Sequence, residues 1–209
     1  MELELLISFL GASIILSLMP GPDNLFVLTE SLTKGQKNGI AISIGLSLGV
    51  LVHTLAAATG VSIIIQQSAL AFSVLKYLGA AYLFYLAFMA IREKPLTLDL
   101  KNDAVTVQRP TIALIKKGFF MNVLNPKVSL FFIAFLPQFV SHTGFAVTLQ
   151  MIILGLLFMV QALVVFSLIA MLSSQLTSYV NSPKFWGITK WSKITVLSLL
   201  GLTLAFSKK

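Results

Sequence analysis

Two residues of opposite charge, Asp23 and Lys127, stand at interruptions in two long apolar stretches of this chain. A proline lacks the backbone donor that a helix interior needs, and its ring crowds the preceding turn, so a helix cannot pass unbroken through such a point. If the apolar stretches lie in a bilayer, each charge falls at membrane depth, where an ionisable residue is a functional candidate by default. The residues that make the breaks are Pro20, Gly21 and Pro22 in the first stretch and Pro126 in the second.

The two charges suit a ligand that carries both an ammonium and a carboxylate group. Asp23 could bind a substrate ammonium or carry a proton, and Lys127 could meet a carboxylate. Because an unpaired charge at the bilayer centre is costly, we expect the two side chains to pair with each other or with substrate. The alternatives are that Asp23 caps the helix that follows it and that Lys127 extends towards the membrane surface.

Three asparagines, Asn24, Asn122 and Asn125, accompany the breaks. Their amides can satisfy the backbone groups that a break frees, or they can bind ligand. A half-helix that begins near Asn24 or Lys127 would also direct unpaired N–H groups at a cavity, an arrangement that favours a carboxylate. Structural and ligand-binding roles both stay open for these residues.

A histidine lies on a stripe of small residues in the second apolar stretch, where Ala41, Gly45, Gly49, His53 and Ala57 recur at steps of four. Small residues at that spacing form a face on which another helix packs closely. His53 therefore faces protein, and its titration range suits a proton step. It could equally be a packing residue, and the stripe could serve a contact within the chain or in a homodimer.

The composition indicates an integral membrane protein. Of 209 residues, 57% are hydrophobic and only 11% are charged, whereas a soluble domain carries roughly 25% charged residues; the mean hydropathy is +0.94. A net charge of +8 could suggest nucleic acid, but the basic residues lie between apolar runs. That distribution is typical of membrane topology, so we expect contact with membrane lipids and no nucleic-acid partner.

Enzyme signatures are missing from the sequence. There is no cysteine and there are only two histidines, which excludes a disulfide framework, a thiol nucleophile and a cysteine metal site. We find no H-E-x-x-H, no G-x-S-x-G and no Walker-type phosphate loop. The prediction is a protein that is not an enzyme and holds no metal or cofactor.

Six apolar stretches predict an all-α membrane protein with six transmembrane helices in one domain over residues 1–209. A spanning helix needs about 20 residues, and the sixth stretch needs Trp186–Lys193 as an interfacial first turn. The acidic start of the chain is unlike a secretory signal, so we expect the first stretch to be retained. The stretches are Leu3–Met19 continuing through Leu28, Ile40–Ile65, Ala69–Ile91, Thr111–Val140, Phe145–Leu172 and Ile194–Phe206.

The distribution of lysine and arginine predicts the orientation. With the loop 92–110 in the cytoplasm, both termini face outside, and half one (1–91) and half two (111–209) run in opposite directions. Paired interruptions in two such halves indicate an inverted-repeat transporter with a site near the midplane. The basic residues then inside are Lys34, Lys37, Arg92, Lys94, Lys101, Arg109, Lys116, Lys117, Lys184, Lys190 and Lys193, while Lys208 and Lys209 fall outside.

The chain resembles the lysine-exporter family, in the branch of homoserine and threonine resistance exporters (LysE/RhtB), over nearly its whole length. The resemblance implies a multi-pass protein of the bacterial inner membrane that exports amino acids or close derivatives such as threonine, homoserine or lysine-like compounds, driven by protons. The alternatives are a passive channel for small solutes and a non-transporting scaffold. The motifs that carry the resemblance are residues 20–23 (PGPD), 31–32 with Gly35 and Gly39, Gly45, Gly49 and His53, 75–83 (LKYLGAAYL), 118–119 (GF), 122–127 (NVLNPK), 131–132 (FF) and 135–139 (FLPQF).

Overall fold

The computed structural model describes residues 2–61, 68–93, 110–141, 144–175 and 182–206. Within them every regular element is helical, which confirms the all-α prediction. A π-helical turn, Ala57–Val61, extends the third helix, and a π-helical Phe131–Phe135 and a 3-10 Leu136–Phe139 extend the sixth. The helices are α1 (Leu3–Leu18), α2 (Pro22–Lys34), α3 (Gln36–Ala56), α4 (Ala69–Ile91), α5 (Thr111–Val123), α6 (Pro126–Leu130), α7 (Val147–Met171) and α8 (Pro183–Phe206).

Both predicted breaks are present. The axis turns by 57° between α1 and α2 and by 50° between α5 and the segment Pro126–Phe139. Pro22 and Pro126 each begin the second half of their span. A helix tolerates proline at its first position, because the N–H that proline lacks has no intrahelical partner there. The prolines therefore end one half-helix and start the next.

The described helices provide three unbroken segments long and apolar enough to cross a membrane, or five spans if each bent pair is one span. Helix α8 is not among them, although it runs unbroken from Pro183 to Phe206. Lys190 and Lys193 dilute the apolar character of its first half. The sixth transmembrane helix and the inverted arrangement of the halves thus remain predictions.

Helix α3 lies at the centre of the bundle, against α5 and α7. A Cβ added at Gly45 would overlap the carbonyl of Ile115, and one added at Gly118 would overlap the carbonyl of Ile42. Small residues on both helices therefore allow the two backbones to touch. The small-residue stripe of α3 makes a contact within the chain.

Phenylalanine rings fix α1 against the second broken span and α7. The ring of Phe9 lies 5.4 Å from that of Phe139, edge to face, and Phe132 meets Phe158 at 5.2 Å in the same manner. Edge-to-face contacts add to the free energy gained from burial alone. Phe9 and Phe132 are fully buried, so this cluster packs α1 and α7 against the second broken span.

Several residues used to predict the orientation lie outside the described residues. The placement of loop 92–110 in the cytoplasm and of both termini outside accordingly stays a prediction. The residues concerned are Lys94, Lys101, Arg109, Lys208 and Lys209.

Candidate functional site

The two breaks are joined by the side chain of Asn125. Its Nδ2 donates to Asp23 Oδ2 at 2.5 Å, and its Oδ1 accepts from the backbone N–H of Lys127 at 3.0 Å. Asn125 is thus the N-cap of α6 and, in the same conformation, the partner of a buried carboxylate in the first turn of α2. A bond to a charged acceptor is stronger than one between neutral groups. One residue of the second broken span therefore orients the acid of the first.

Lys127 makes the reciprocal connection. Its ammonium donates to the carbonyl of Leu16 at 3.2 Å and to that of Met19 at 3.4 Å. The last carbonyls of a helix have no intrahelical donor, and a cation is favoured at that end by the helix dipole. Lys127 therefore caps α1 across the break and does not extend to the surface.

Asp23 and Lys127 line one cavity but do not form a direct ion pair. Among the described residues, ion pairs join Lys34 to Glu30 and Lys193 to Glu93. The sequence predicts that the two break charges pair with each other or with substrate. Each of them instead forms hydrogen bonds with a group of the opposite broken span, Asp23 with Asn125 and Lys127 with the carbonyls of Leu16 and Met19. The carboxylate of Asp23 and the ammonium of Lys127 are thus held apart, and each is hydrogen-bonded to the opposite broken span.

Asn24 and Gln161 add polar contacts to the end of α1. Asn24 Nδ2 donates to the carbonyl of Ser17 at 2.8 Å, and Gln161 Nε2, on α7, donates to Ser17 Oγ at 2.9 Å. The amide oxygens of both Asn24 and Gln161 are buried without a hydrogen-bond partner. An unpaired buried acceptor costs free energy. These oxygens are free acceptors beside the first break, and nothing in the sequence indicates that Gln161 lies there.

His53 reaches the site through the backbone of α5. Its Nε2 lies 3.1 Å from the carbonyl oxygen of Asn122, so this nitrogen must carry the proton that is donated. The imidazole packs on the ring of Phe132 at a centroid distance of 5.8 Å. His53 satisfies one of the last carbonyls of α5, while the side-chain oxygen of Asn122 is buried without a partner.

A small cavity lies on one side of the breaks. Its polar lining comprises Ser17, Asp23, Asn122 and Lys127, and its volume is about 10 Å³, the space of one water molecule. Both break charges and Asn122 line this one cavity. It brings together three of the residues predicted from sequence as a site.

Larger cavities lie on the other side of the first break. One, of about 200 Å³, is lined by Asn125, Pro126 and Lys127 together with Glu93 and Lys193. A neighbouring cavity of about 290 Å³ shares Glu93 and Lys193 with it. Sequence reasoning missed Glu93 and placed Lys193 at the membrane interface, since nothing in the sequence links two charges that far apart.

Similar proteins are found over nearly the whole length of the chain. The family model of the LysE type translocator matches residues 14–208. Three relatives are each 30% identical: an uncharacterized membrane protein of Vibrio cholerae (100% of both chains), the uncharacterized membrane protein YrhP of Bacillus subtilis (94% of this chain, 95% of the relative) and the homoserine/homoserine lactone efflux protein of Salmonella typhimurium (100% and 99%). No solved structure matches the chain. A family model that covers nearly every residue, on a helical chain with membrane-length helices, shows that this protein belongs to the LysE type translocator family.

Proposed function

We propose that this chain is a secondary transporter that exports amino acids or close derivatives across the bacterial inner membrane in exchange for protons. The observation that carries the proposal is the reciprocal connection of the two breaks, Asn125 to Asp23 and Lys127 to Met19. The name of the Salmonella relative, a homoserine/homoserine lactone efflux protein, supports small amino acids such as homoserine and threonine as the substrate class.

The substrate binds between the breaks in this proposal. Its ammonium group binds Asp23 and takes the place of the Asn125 amide, and its carboxylate binds Lys127. A carboxylate and an ammonium held apart match the two ends of an amino acid, and each substrate group then replaces a hydrogen bond that the charged side chain makes within the protein. The exchange keeps both buried charges paired throughout, which a low-dielectric interior requires.

Proton coupling follows from the same carboxylate. When a proton arrives from outside, neutral Asp23 no longer attracts the ammonium, and the substrate is released to that side. Return of Asp23 to the inside releases the proton, so one substrate leaves as one proton enters. The hydrogen bonds between the breaks must rearrange as the two halves rock, because each bond joins one broken span to the other.

The main rival is a passive channel. A purified, reconstituted carrier shows saturable counterflow of labelled homoserine or threonine, and a pH gradient with the acidic side outside stimulates export. A pore shows neither. Before that, a metabolite profile of the medium from cells that overexpress the protein, against cells with the empty vector, identifies the exported compound; a profile without an enriched amino acid contradicts the proposal.

A further inference from the structure

Helix α8 presents a basic and aromatic face to the first break. Four of its residues line the cavity of about 290 Å³ there, and they recur at steps of three and four, the spacing of one helix face. The proposed transport site uses none of them. These residues are Trp186, Thr189, Lys190 and Lys193.

The adjacent face of α8 is largely apolar and lies across a groove from α1. The groove has a volume of about 360 Å³. Leu18 on one wall is 54% exposed, and Ile188 on the other is 60% exposed, so both walls are open to the surroundings of the protein. In a bilayer those surroundings are hydrocarbon, which is as apolar as the leucine side chain itself. The lining is completed by Ile15, Met19, Pro20, Phe185, Thr189, Ser192 and Val196.

The apolar groove and the basic cavity adjoin each other. Pro20 and Thr189 line both of them, and Thr189 places a hydroxyl group where the two meet. The pair of recesses therefore suits an elongated ligand that is polar at one end and apolar along the other. A small free anion would leave the groove unfilled.

Lys190 is the charge in this region that lacks a counterpart. Lys193, in the same cavity, pairs with Glu93, and the opposite charges of Asp23 and Lys127 attract each other at the breaks. Among the described residues, the ion pairs join Lys34 to Glu30 and Lys193 to Glu93, and neither involves Lys190. Lys190 is half-buried, and an ammonium group withdrawn from water favours a bound anion. The polar end of the ligand is therefore anionic.

We propose that the groove between α1 and α8 binds an anionic phospholipid, with its phosphate at Lys190 and one acyl chain between the two helices. The predicted orientation places this end of α8 at the cytoplasmic surface, where anionic lipids attract basic segments. The phosphate accepts from the ammonium of Lys190 and from the hydroxyl of Thr189. Trp186 lies at the level of the lipid headgroups, as interfacial tryptophans do. The lipid site does not depend on the proposed transport reaction.

The first test compares two lipids that differ only in the headgroup. The full chain, purified in detergent, is titrated with palmitoyl-oleoyl phosphatidylglycerol or with palmitoyl-oleoyl phosphatidylcholine, and its melting temperature is measured. A ligand that binds only the folded state raises the melting temperature in proportion to its occupancy. The anionic lipid should act at a concentration about tenfold lower, because the zwitterionic headgroup carries no net charge. Equal shifts with the two lipids overturn the inference, and so does an equal shift with inorganic phosphate alone.

A charge variant with a matched control tests the headgroup contact. Lys190→Gln should raise the concentration of phosphatidylglycerol that gives half the maximal shift by about tenfold, while the response to phosphatidylcholine stays unchanged. Lys184→Gln removes the same charge from an exposed position on the same helix, outside the lining of either recess, and should keep the parental response. Equal weakening in both variants would show a diffuse attraction to the basic surface and would contradict a defined site.

A second variant tests the acyl-chain groove. Ser192→Phe places a ring in the groove, whereas Leu199→Phe places one at an exposed position that does not line it. Native mass spectrometry counts the phosphatidylglycerol molecules retained per chain, and only Ser192→Phe should retain fewer than the parent. Parental retention by Ser192→Phe, at a parental melting temperature in lipid-free detergent, would exclude the groove as the site. If Ser192→Phe does not fold, Lys190→Gln decides alone, because it leaves the packing of α8 on α4 unchanged.

Discussion

The side-chain amide of Asn125 donates to the carboxylate of Asp23 at 2.5 Å, and so ties the start of α6 to the start of α2. The same asparagine caps α6 through the N–H of Lys127. Any movement that separates the two broken spans must therefore release the N-cap residue or the acid. Local helix structure and the position of the candidate proton carrier are coupled through one side chain.

Asp23→Asn should abolish stimulation of export by a pH gradient. The amide oxygen of the new side chain still accepts the hydrogen bond from Asn125, so the break keeps its geometry while the titratable group is lost. We expect the ratio of efflux with and without the gradient to fall to about one, measured in proteoliposomes. Glu4→Gln, at an exposed acid in the first turn of α1, should retain the parental ratio. Undiminished stimulation in Asp23→Asn would remove this residue from the coupling step.

Lys127→Met should destabilise the protein as well as prevent transport. It removes the donor to the carbonyls of Leu16 and Met19, and a buried polar group left without a partner costs about 1–3 kcal/mol. Thermal unfolding in detergent measures the effect. Lys116→Met, at an exposed lysine of α5, should change stability by no more than about 0.5 kcal/mol. Equal melting temperatures for the two variants would show that Lys127 does not cap α1.

The positions of the breaks could be predicted from the sequence, since Pro22 and Pro126 act through backbone chemistry that is local to each. The third apolar stretch, Ala69–Ile91, also matches α4 at both ends. Apolar length and proline position suffice for such features because both are properties of a contiguous segment.

The partners of the charges could not be predicted in the same way. Asp23 binds Asn125, and Lys127 binds backbone carbonyls of α1. Backbone carbonyls exist at every residue, so no side-chain type in the sequence reveals which of them a lysine will cap. The pair Glu93–Lys193 joins residues 100 positions apart, and its formation depends on how α8 packs on α4.

Gly45→Ala should weaken the bundle at the contact between α3 and α5. The added Cβ would overlap the carbonyl of Ile115, and a backbone atom cannot move aside as the end of a flexible side chain can. Overpacking of this kind costs roughly 1–3 kcal/mol. Gly11→Ala, on α1, places its Cβ where nothing lies within 4 Å, and alanine favours a helix over glycine. The melting temperature should therefore fall for Gly45→Ala only; a fall of the same size for both variants would contradict the close contact.

We expect substitution of His53 to change the stability of the protein and to leave the pH profile of transport unchanged. His53→Leu removes the side-chain donor to the carbonyl of Asn122, which keeps the backbone N–H of Asn125 as a donor; loss of one such hydrogen bond costs about 0.5–1.5 kcal/mol, whereas His53→Gln can restore a donor. Melting temperatures in detergent and the pH dependence of counterflow measure the two properties separately. A pH profile shifted in the glutamine variant, at parental stability, would instead assign a proton step to the imidazole.

The predicted orientation can be tested with single cysteines, because the natural chain has none. Lys37 and Phe145 are exposed at opposite ends of the predicted topology. In intact cells, a membrane-impermeant maleimide should label the Phe145→Cys variant and should label Lys37→Cys only after the membrane is opened. The reason is the lysine and arginine bias, which keeps the basic segment around Lys37 in the cytoplasm. The reverse pattern would show that the lysine and arginine bias does not set the orientation of this chain, whereas the alternating access proposed for Asp23 would be unaffected, because rocking of the two halves exposes the site to each side in turn whichever way the chain is inserted.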